Sequence, residues 1–182
     1  MAVEWVPFEL HPEIPPEGRS RDEVLPPAYR ARAEEGVNRL AAQVGLQLRL
    51  HDRLINSRPA LQAAEFAREQ GRFEAMHKEL FHAYWDEGRD VSDLTVLRDV
   101  ATHAGVDVAG MEHAIAEDRF GDYLDARRAE AQELMIDGIP AHVIDNRYLV
   151  MGAQPYDLFV RVMAKIGVPR RDAPTSAQGP TP

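Results

Sequence analysis

The sequence predicts an α/β fold in which a strand, a long helical block, a β-hairpin and a last helix follow in that order. Three observations carry this. An apolar, partly β-branched run opens the chain at Val3–Phe8. Apolar residues then recur at three-four spacing in successive segments from about residue 29 to 136. Two short β runs, Ala141–Asp145 and Tyr148–Met151, come next, and a helical pattern follows them.

Each element has its own signals. Pro7 cannot donate to a ladder, which puts it at the end or on the edge of the first strand. Residues 11–27 hold five prolines and Gly18 and read as loop. Tyr29–Val44 sets Val37, Leu40, Ala41 and Val44 on one helical face and stops at Gly45. Leu46, Leu48 and Leu50 alternate through a short extended link. Ser57 and Pro59 start a helix that runs to about Gln70. Phe73, Met76, His77, Leu80, Phe81 and Tyr84 stripe the next one as ordinary core. Ser92 is the expected cap of a helix carrying Leu94, Leu97, Val100 and Ala101, ended by Gly105. Shorter and longer helices follow near 109–117 and 123–136. The β runs flank Asn146-Arg147 at hairpin spacing, without the favoured glycine. Pro155 opens the last helix, through Ile166. One domain over 1–167 is expected, with helices over about 29–136, hairpin and helix over about 141–166, and a disordered tail over 168–182.

Composition limits the chemistry. The 182 residues contain 45% hydrophobic and 28% charged side chains, ordinary for a globular chain with a sizeable core. A net charge of −9 argues against nucleic acid or an anionic membrane surface as partner. No run reaches the ~20 apolar residues of a bilayer span, and no signal-peptide pattern opens the chain, so a cytoplasmic location is expected. There is no cysteine. Disulfides, zinc–thiolate sites, thiol nucleophiles and dithiol redox chemistry are thereby excluded for this chain.

The candidate motifs have plain readings beside them. His77 and His82 flank Glu79, but five residues on a helix are not the i, i+4 pair of zinc proteases; no metal site and no cofactor are expected. No Gly-x-Ser-x-Gly elbow supports a hydrolase role for His51-Asp52 or His142. His142 is expected to pack or to line a rim. Glu34-Glu35 and the mixed charges of 127–133 read as solvated faces. Asn56 and Ser57 suit a helix cap. Gln154, just before Pro155, sits where a helix N-terminus would accept an anionic group.

Gly138-Ile139-Pro140, followed by a β run, is the remaining motif, and its context predicts a cis bond at Pro140. Together with Pro7-Phe8-Glu9-Leu10-His11-Pro12, Pro15-Pro16-Glu17-Gly18, Asn56-Ser57-Arg58, Leu80-Phe81-His82-Ala83-Tyr84-Trp85, Gly88-Arg89-Asp90 and Gly152-Ala153-Gln154-Pro155, it resembles the DsbA-like family of thioredoxin-fold oxidoreductases. The FrnE-like subgroup, close to the 2-hydroxychromene-2-carboxylate isomerases, is the nearest pattern. The resemblance spans about Val3 to Gly167. It implies a thioredoxin-like fold, N-terminally incomplete, with a large helical insertion. In the family a strand, a Cys-x-x-Cys motif and a helix precede the Pro-Phe-Glu-Leu-His-Pro strand, so no residue here inherits the catalytic thiol role. Without that central strand, a split sheet or a strand sliding into the vacancy is expected, and an isolated monomer should be poorly stable.

The resemblance implies substrate contact at Ile139 and Pro140, with Asn56 and Gln154 as a polar rim. The partner it implies is a protein or small thiol/disulfide substrate; a homo-oligomer is compatible with the sequence. Three functions follow: a thiol–disulfide oxidoreductase-like protein inactive as this chain stands, a glutathione-dependent isomerase, or a thiol-free binding or chaperone-like module. Glutathione-dependent relatives often show serine and an acidic residue where Ala153 and Gln154 stand, which weighs against the isomerase. A Cys-x-x-Cys in frame upstream of Met1 would mark the first, and a serine in place of its leading cysteine the second.

Overall fold

Four alanines in one helix organise most of the molecule. In α3 (Arg58–Glu69), Ala60, Ala63, Ala64 and Ala67 are buried, and their small side chains let three other helices approach closely. These are α4 (Phe73–Phe81), α5 (Leu94–Ala104) and α6 (Val108–Ala116). Phe66, Met76, Leu97 and Met111 fill the space between them. Close-packed burial of this kind is the main stabilising term of the unit. The structure, a computed structural model, describes residues 2–24 and 26–168. The single domain expected over 1–167 consists of two compact units, divided between Ala131 and Gln132.

The helices fall close to their expected places, with local differences. Asp93 rather than Ser92 caps α5, its carboxylate accepting from the Thr95 N–H at 2.7 Å. Ser92 is held by Asp90 instead. Gly105, at φ 69°, ends α5 as its position suggests. The stripe expected through Tyr84 breaks after Phe81 into a π-helical turn, His82–Asp86, and Phe81 is exposed. Phe81 precedes that turn, and Tyr84 within it still packs against the core. Helix α7 spans Gly121–Glu133.

Two expectations at the front of the chain are corrected. Residues 3–8 form no strand. A strand exists through its ladder, and these residues pair with no neighbour among the described ones. They are tied to α3 by side chains: Arg68 donates to the Trp5 carbonyl at 2.8 Å, and Arg58 to Glu9 at 2.8 Å. The stretch read as loop contains a short strand, β1 (Arg19–Ser20), which pairs antiparallel with β2 (Arg53–Leu54) further along the chain, and a one-turn helix, α1 (Arg21–Val24). Helix α2 (Pro27–Gln43) forms, but of the stripe Val37, Leu40, Ala41 and Val44 only Ala41 is buried.

The second unit holds β3 (Ala141–Ile144), β4 (Tyr148–Met151) and α8 (Tyr156–Lys165). β3 and β4 are antiparallel, with His142 opposite Val150 and Val143 opposite Leu149. The turn centres on Asp145 and Asn146, not on Asn146-Arg147; both have positive φ, at 55° and 49°. Aspartate and asparagine tolerate this region better than other non-glycine residues, so the missing glycine is replaced at small cost. Of the two fates expected for the sheet, no strand occupies the outer edge of β3 among the described residues; the β structure is two separate two-stranded ladders. The Ile139–Pro140 bond is cis. Of the tail expected over 168–182, all but Val168 lies outside the described residues.

Candidate functional site

The base of the hairpin gathers three of the four residues named from the sequence. β3 leaves from Pro140 and β4 returns to Gly152, whose N–H donates to the Pro140 carbonyl at 2.7 Å. This bond continues the register one pair beyond Ala141–Met151. Ile139-Pro140 and Gly152-Ala153-Gln154 therefore lie side by side. Gly152 adopts φ 76°, and a Cβ there would stand 3.7 Å from the Gln154 amide nitrogen. Gln154 donates to the Met151 carbonyl at 2.8 Å, which fixes the turn leading to Pro155 and α8.

The register decides which backbone groups face outward. Hydrogen-bonded and non-hydrogen-bonded pairs alternate along an antiparallel ladder. Since the Pro140–Gly152 pair is bonded, His142 and Ile144 point their amides at β4, and Ala141 and Val143 point theirs away. That outer edge has no partner strand among the described residues. Ile139, 58% exposed, stands at its start, and Gly138 has no heavy atom within 4 Å of where a Cβ would be. The result is an open run of donors and acceptors at Ile139, Ala141 and Val143, flanked by exposed apolar side chains. Such an edge can take an extended chain. On one face of the hairpin the His142 ring meets Phe159 of α8 edge-on at 4.9 Å, so His142 is a packing residue.

Asn56 lies in the helical unit and serves its architecture. Its Oδ1 accepts from the Arg58 N–H and its Nδ2 donates to the Ile14 carbonyl, both at 2.9 Å. It caps α3 and fastens the loop around buried Ile14. Ser57 makes no side-chain cap bond. One amide hydrogen and one lone pair of Asn56 remain for other partners.

Beside it lies a charge network that sequence spacing could not find. Arg58 contacts Glu9 at 2.8 Å, Asp125 at 3.0 Å and Asp118 at 3.4 Å. Those partners are 49 to 67 residues away in sequence. Glu9 is only 6% exposed, so its carboxylate depends on this guanidinium. Asp125, through its bond with Arg58, is held below the usual carboxylate range.

His77, on α4, and His82, in the π turn after it, do different things. The His77 ring lies 4.8 Å from Trp5, 5.4 Å from Phe73 and 4.5 Å from Phe81. Burial there lowers its pKa. His82 is exposed and hydrogen-bonded to Asp86 at 2.8 Å, which raises its pKa. Among the described residues no three His, Asp or Glu side chains gather as metal ligands.

Comparison with known proteins places this architecture. The model of the DSBA-like thioredoxin domain matches residues 1–164. The crystal structure of the probable DsbA oxidoreductase SCO1869 from Streptomyces coelicolor superposes with a TM-score of 0.76 at 27% identity, over 96% of this chain and 80% of that one. The uncharacterized protein YwbO of Bacillus subtilis strain 168 is 23% identical over 167 residues, covering 89% of this chain and 80% of its own length. No helix among the described residues is long and apolar enough to cross a bilayer.

Proposed function

The chain belongs to the DSBA-like thioredoxin domain family, and from that premise we propose that its 182 residues supply the substrate-holding side of a thiol–disulfide oxidoreductase site and perform no dithiol exchange alone. One observation carries the reading: exposed Ile139 and the outward backbone groups of Ala141 and Val143 form an open edge beside Pro140. A substrate segment laid there would gain backbone hydrogen bonds, with Ile139 offering an apolar contact. Gln154, on the neighbouring turn, would border the same segment.

The electron balance explains why the chain is inactive by itself. Dithiol exchange begins when a thiolate attacks a disulfide sulfur, displacing the second sulfur as a thiolate; a resolving thiol then closes the new disulfide. Each step needs sulfur on the catalyst, and this chain has no cysteine. The thiols must come from outside these residues. Within the family we place the chain with the FrnE-like subgroup, on Asn56-Ser57-Arg58 and Gly152-Ala153-Gln154-Pro155. The unpartnered edge also favours one second reading, a thiol-free module that binds extended polypeptide.

Two measurements test this. Insulin reduction by the purified chain should stay at the blank rate; sustained turnover would overturn the argument from sulfur. Binding of thiol-blocked insulin B chain should weaken about tenfold in Ile139→Asp, which puts a charge at the edge. Equal binding by both proteins would remove the edge as the holding surface.

A further inference from the structure

The link between α7 and the hairpin carries a chemistry that the holding role does not use. Helix α7 ends at Glu133 and β3 begins at Ala141, so residues 134–140 lie outside regular structure. Asp137 and Gly138 sit in the middle of this link and are the only aspartate–glycine pair in the chain. Asp137 is exposed, and its carboxylate makes no hydrogen bond or ion pair among the described residues. The Gly138 N–H donates to no acceptor among them either.

These features meet the needs of one reaction. A main-chain nitrogen can attack the side-chain carboxyl carbon of the aspartate before it and close a five-membered ring. The attack needs an amide free of helix or ladder bonds, a carboxyl group free to turn, and an uncrowded nitrogen. Glycine supplies the last, and a Cβ built at Gly138 meets no heavy atom within 4 Å, so its surroundings are open too. Other candidates in the chain are restrained. Asp125, followed by Ala126, lies inside α7 with its carboxylate on Arg58 at 3.0 Å. Asn56, followed by Ser57, has both ends of its amide in hydrogen bonds of 2.9 Å.

We propose that Asp137 is a modification site, isomerising to isoaspartate through the nitrogen of Gly138. That nitrogen bonds to Cγ of the carboxylic acid, and its hydrogen leaves with the acid hydroxyl as water. The succinimide so formed joins the nitrogen to Cγ and to the main-chain carbonyl carbon of Asp137. Water then breaks one of these two bonds. Cleavage at Cγ restores aspartate. Cleavage at the main-chain carbon frees it as a carboxylate and leaves the chain running through Cγ. One water leaves and one enters, so the mass is unchanged and no oxidant or cofactor takes part. The isomer lengthens the main chain by one carbon immediately before Gly138-Ile139-Pro140. Its new α-carboxylate is the group that an isoaspartate-specific carboxyl methyltransferase esterifies.

The test incubates the full chain in warm, mildly acidic buffer, digests it with trypsin and follows the peptide 129–147 by chromatography and mass spectrometry. A second peak of unchanged mass should grow, accept a methyl group from such a methyltransferase, and fragment with the extra main-chain carbon at 137. Gly138→Val should slow its growth at least about tenfold, since a β-branched side chain crowds the nitrogen. The open surroundings of Gly138 accommodate that side chain, and circular dichroism checks that the variant folds. The structure adds a demand that the residue pair alone does not make. With nothing holding the pair, conversion in the folded chain should run within about threefold of that in guanidinium chloride. No new peak, a peak that maps to Asp145 instead, equal growth in Gly138→Val, or a folded-chain rate more than about tenfold below the unfolded one overturns the site.

Discussion

Helix α3 buries seven of its twelve residues, whereas α2, with seventeen, buries Ala41 alone. The difference does not lie in apolar content. α2 carries Val37 and Leu40, and Val44 follows at its C-terminal cap; all three stand exposed. α3 buries its four alanines, and those let α4, α5 and α6 come close enough to enclose Phe66, whereas of the five alanines of α2 only Ala41 is buried. A face becomes core only when something covers it, and neither apolar nor small residues on that face bring the cover by themselves. No element packs extensively along α2 among the described residues.

The largest expected effect tests that contrast directly. Phe66 is 7% exposed and Leu40 is 47% exposed. Phe66→Ala should cost about 3–5 kcal/mol, the transfer of a ring plus the cavity it leaves. Leu40→Ala should change stability by less than about 1 kcal/mol, as for a surface site. Urea unfolding of the two variants reads both values. A loss of about 2 kcal/mol or more for Leu40→Ala would mean that α2 is covered in solution. If that loss grew with protein concentration, the cover would be a second copy of the chain.

The same contrast shows what the sequence made legible. Helix positions followed from spacing and stop signals such as Gly105, and the hairpin from its two β runs. The Ile139-Pro140 loop was found by its motif and lies on an open edge. Burial was not legible, because periodicity tells which residues share a face and not whether a partner arrives. The strand expected at Val3–Phe8 failed for that reason: β-branched composition without a neighbour makes no ladder. Asn56 was named for its place near a motif, and the structure gives both its polar ends local partners. The Arg58 network was invisible, since no local pattern links residues so far apart.

That network supplies the next largest effect. Arg58→Ala leaves buried Glu9 without its cation and should cost about 1–3 kcal/mol, below a fully buried pair because Arg58 itself is partly exposed. It should also loosen residues 2–9, seen as faster amide exchange around Trp5. A pH signature accompanies this. Arg58 holds Asp125 below the ordinary carboxylate value, so that contribution is present above the ordinary value and is lost as pH falls through the lowered one. Asp125 is more than half exposed, and solvent screening keeps its share small. Arg58→Ala should therefore flatten the acid limb of the stability curve, measured by urea midpoints below about pH 5. An unchanged limb would show that the pair has no weight in solution.

The smallest effect carries the lesson to single side chains. His77 and His82 stand five residues apart and shift in opposite directions, because one has aromatic cover and the other has acidic partners in water. The unfolded chain protonates both near the ordinary value of about 6.5. His77 resists protonation when folded, so its presence costs stability as pH falls from that value through its lowered pKa. His82 gains Asp86 and Glu87 when charged, so its contribution is full below the ordinary value and disappears as pH rises through its raised pKa. His77→Leu should thus reduce the loss of stability between about pH 8 and pH 5.5, and His82→Gln should increase it. Urea midpoints at those two pH values give the comparison. Both variants moving the same way would mean that the rings of Trp5, Phe73 and Phe81 do not shelter His77, and that its location on the helix, not its cover, sets its behaviour.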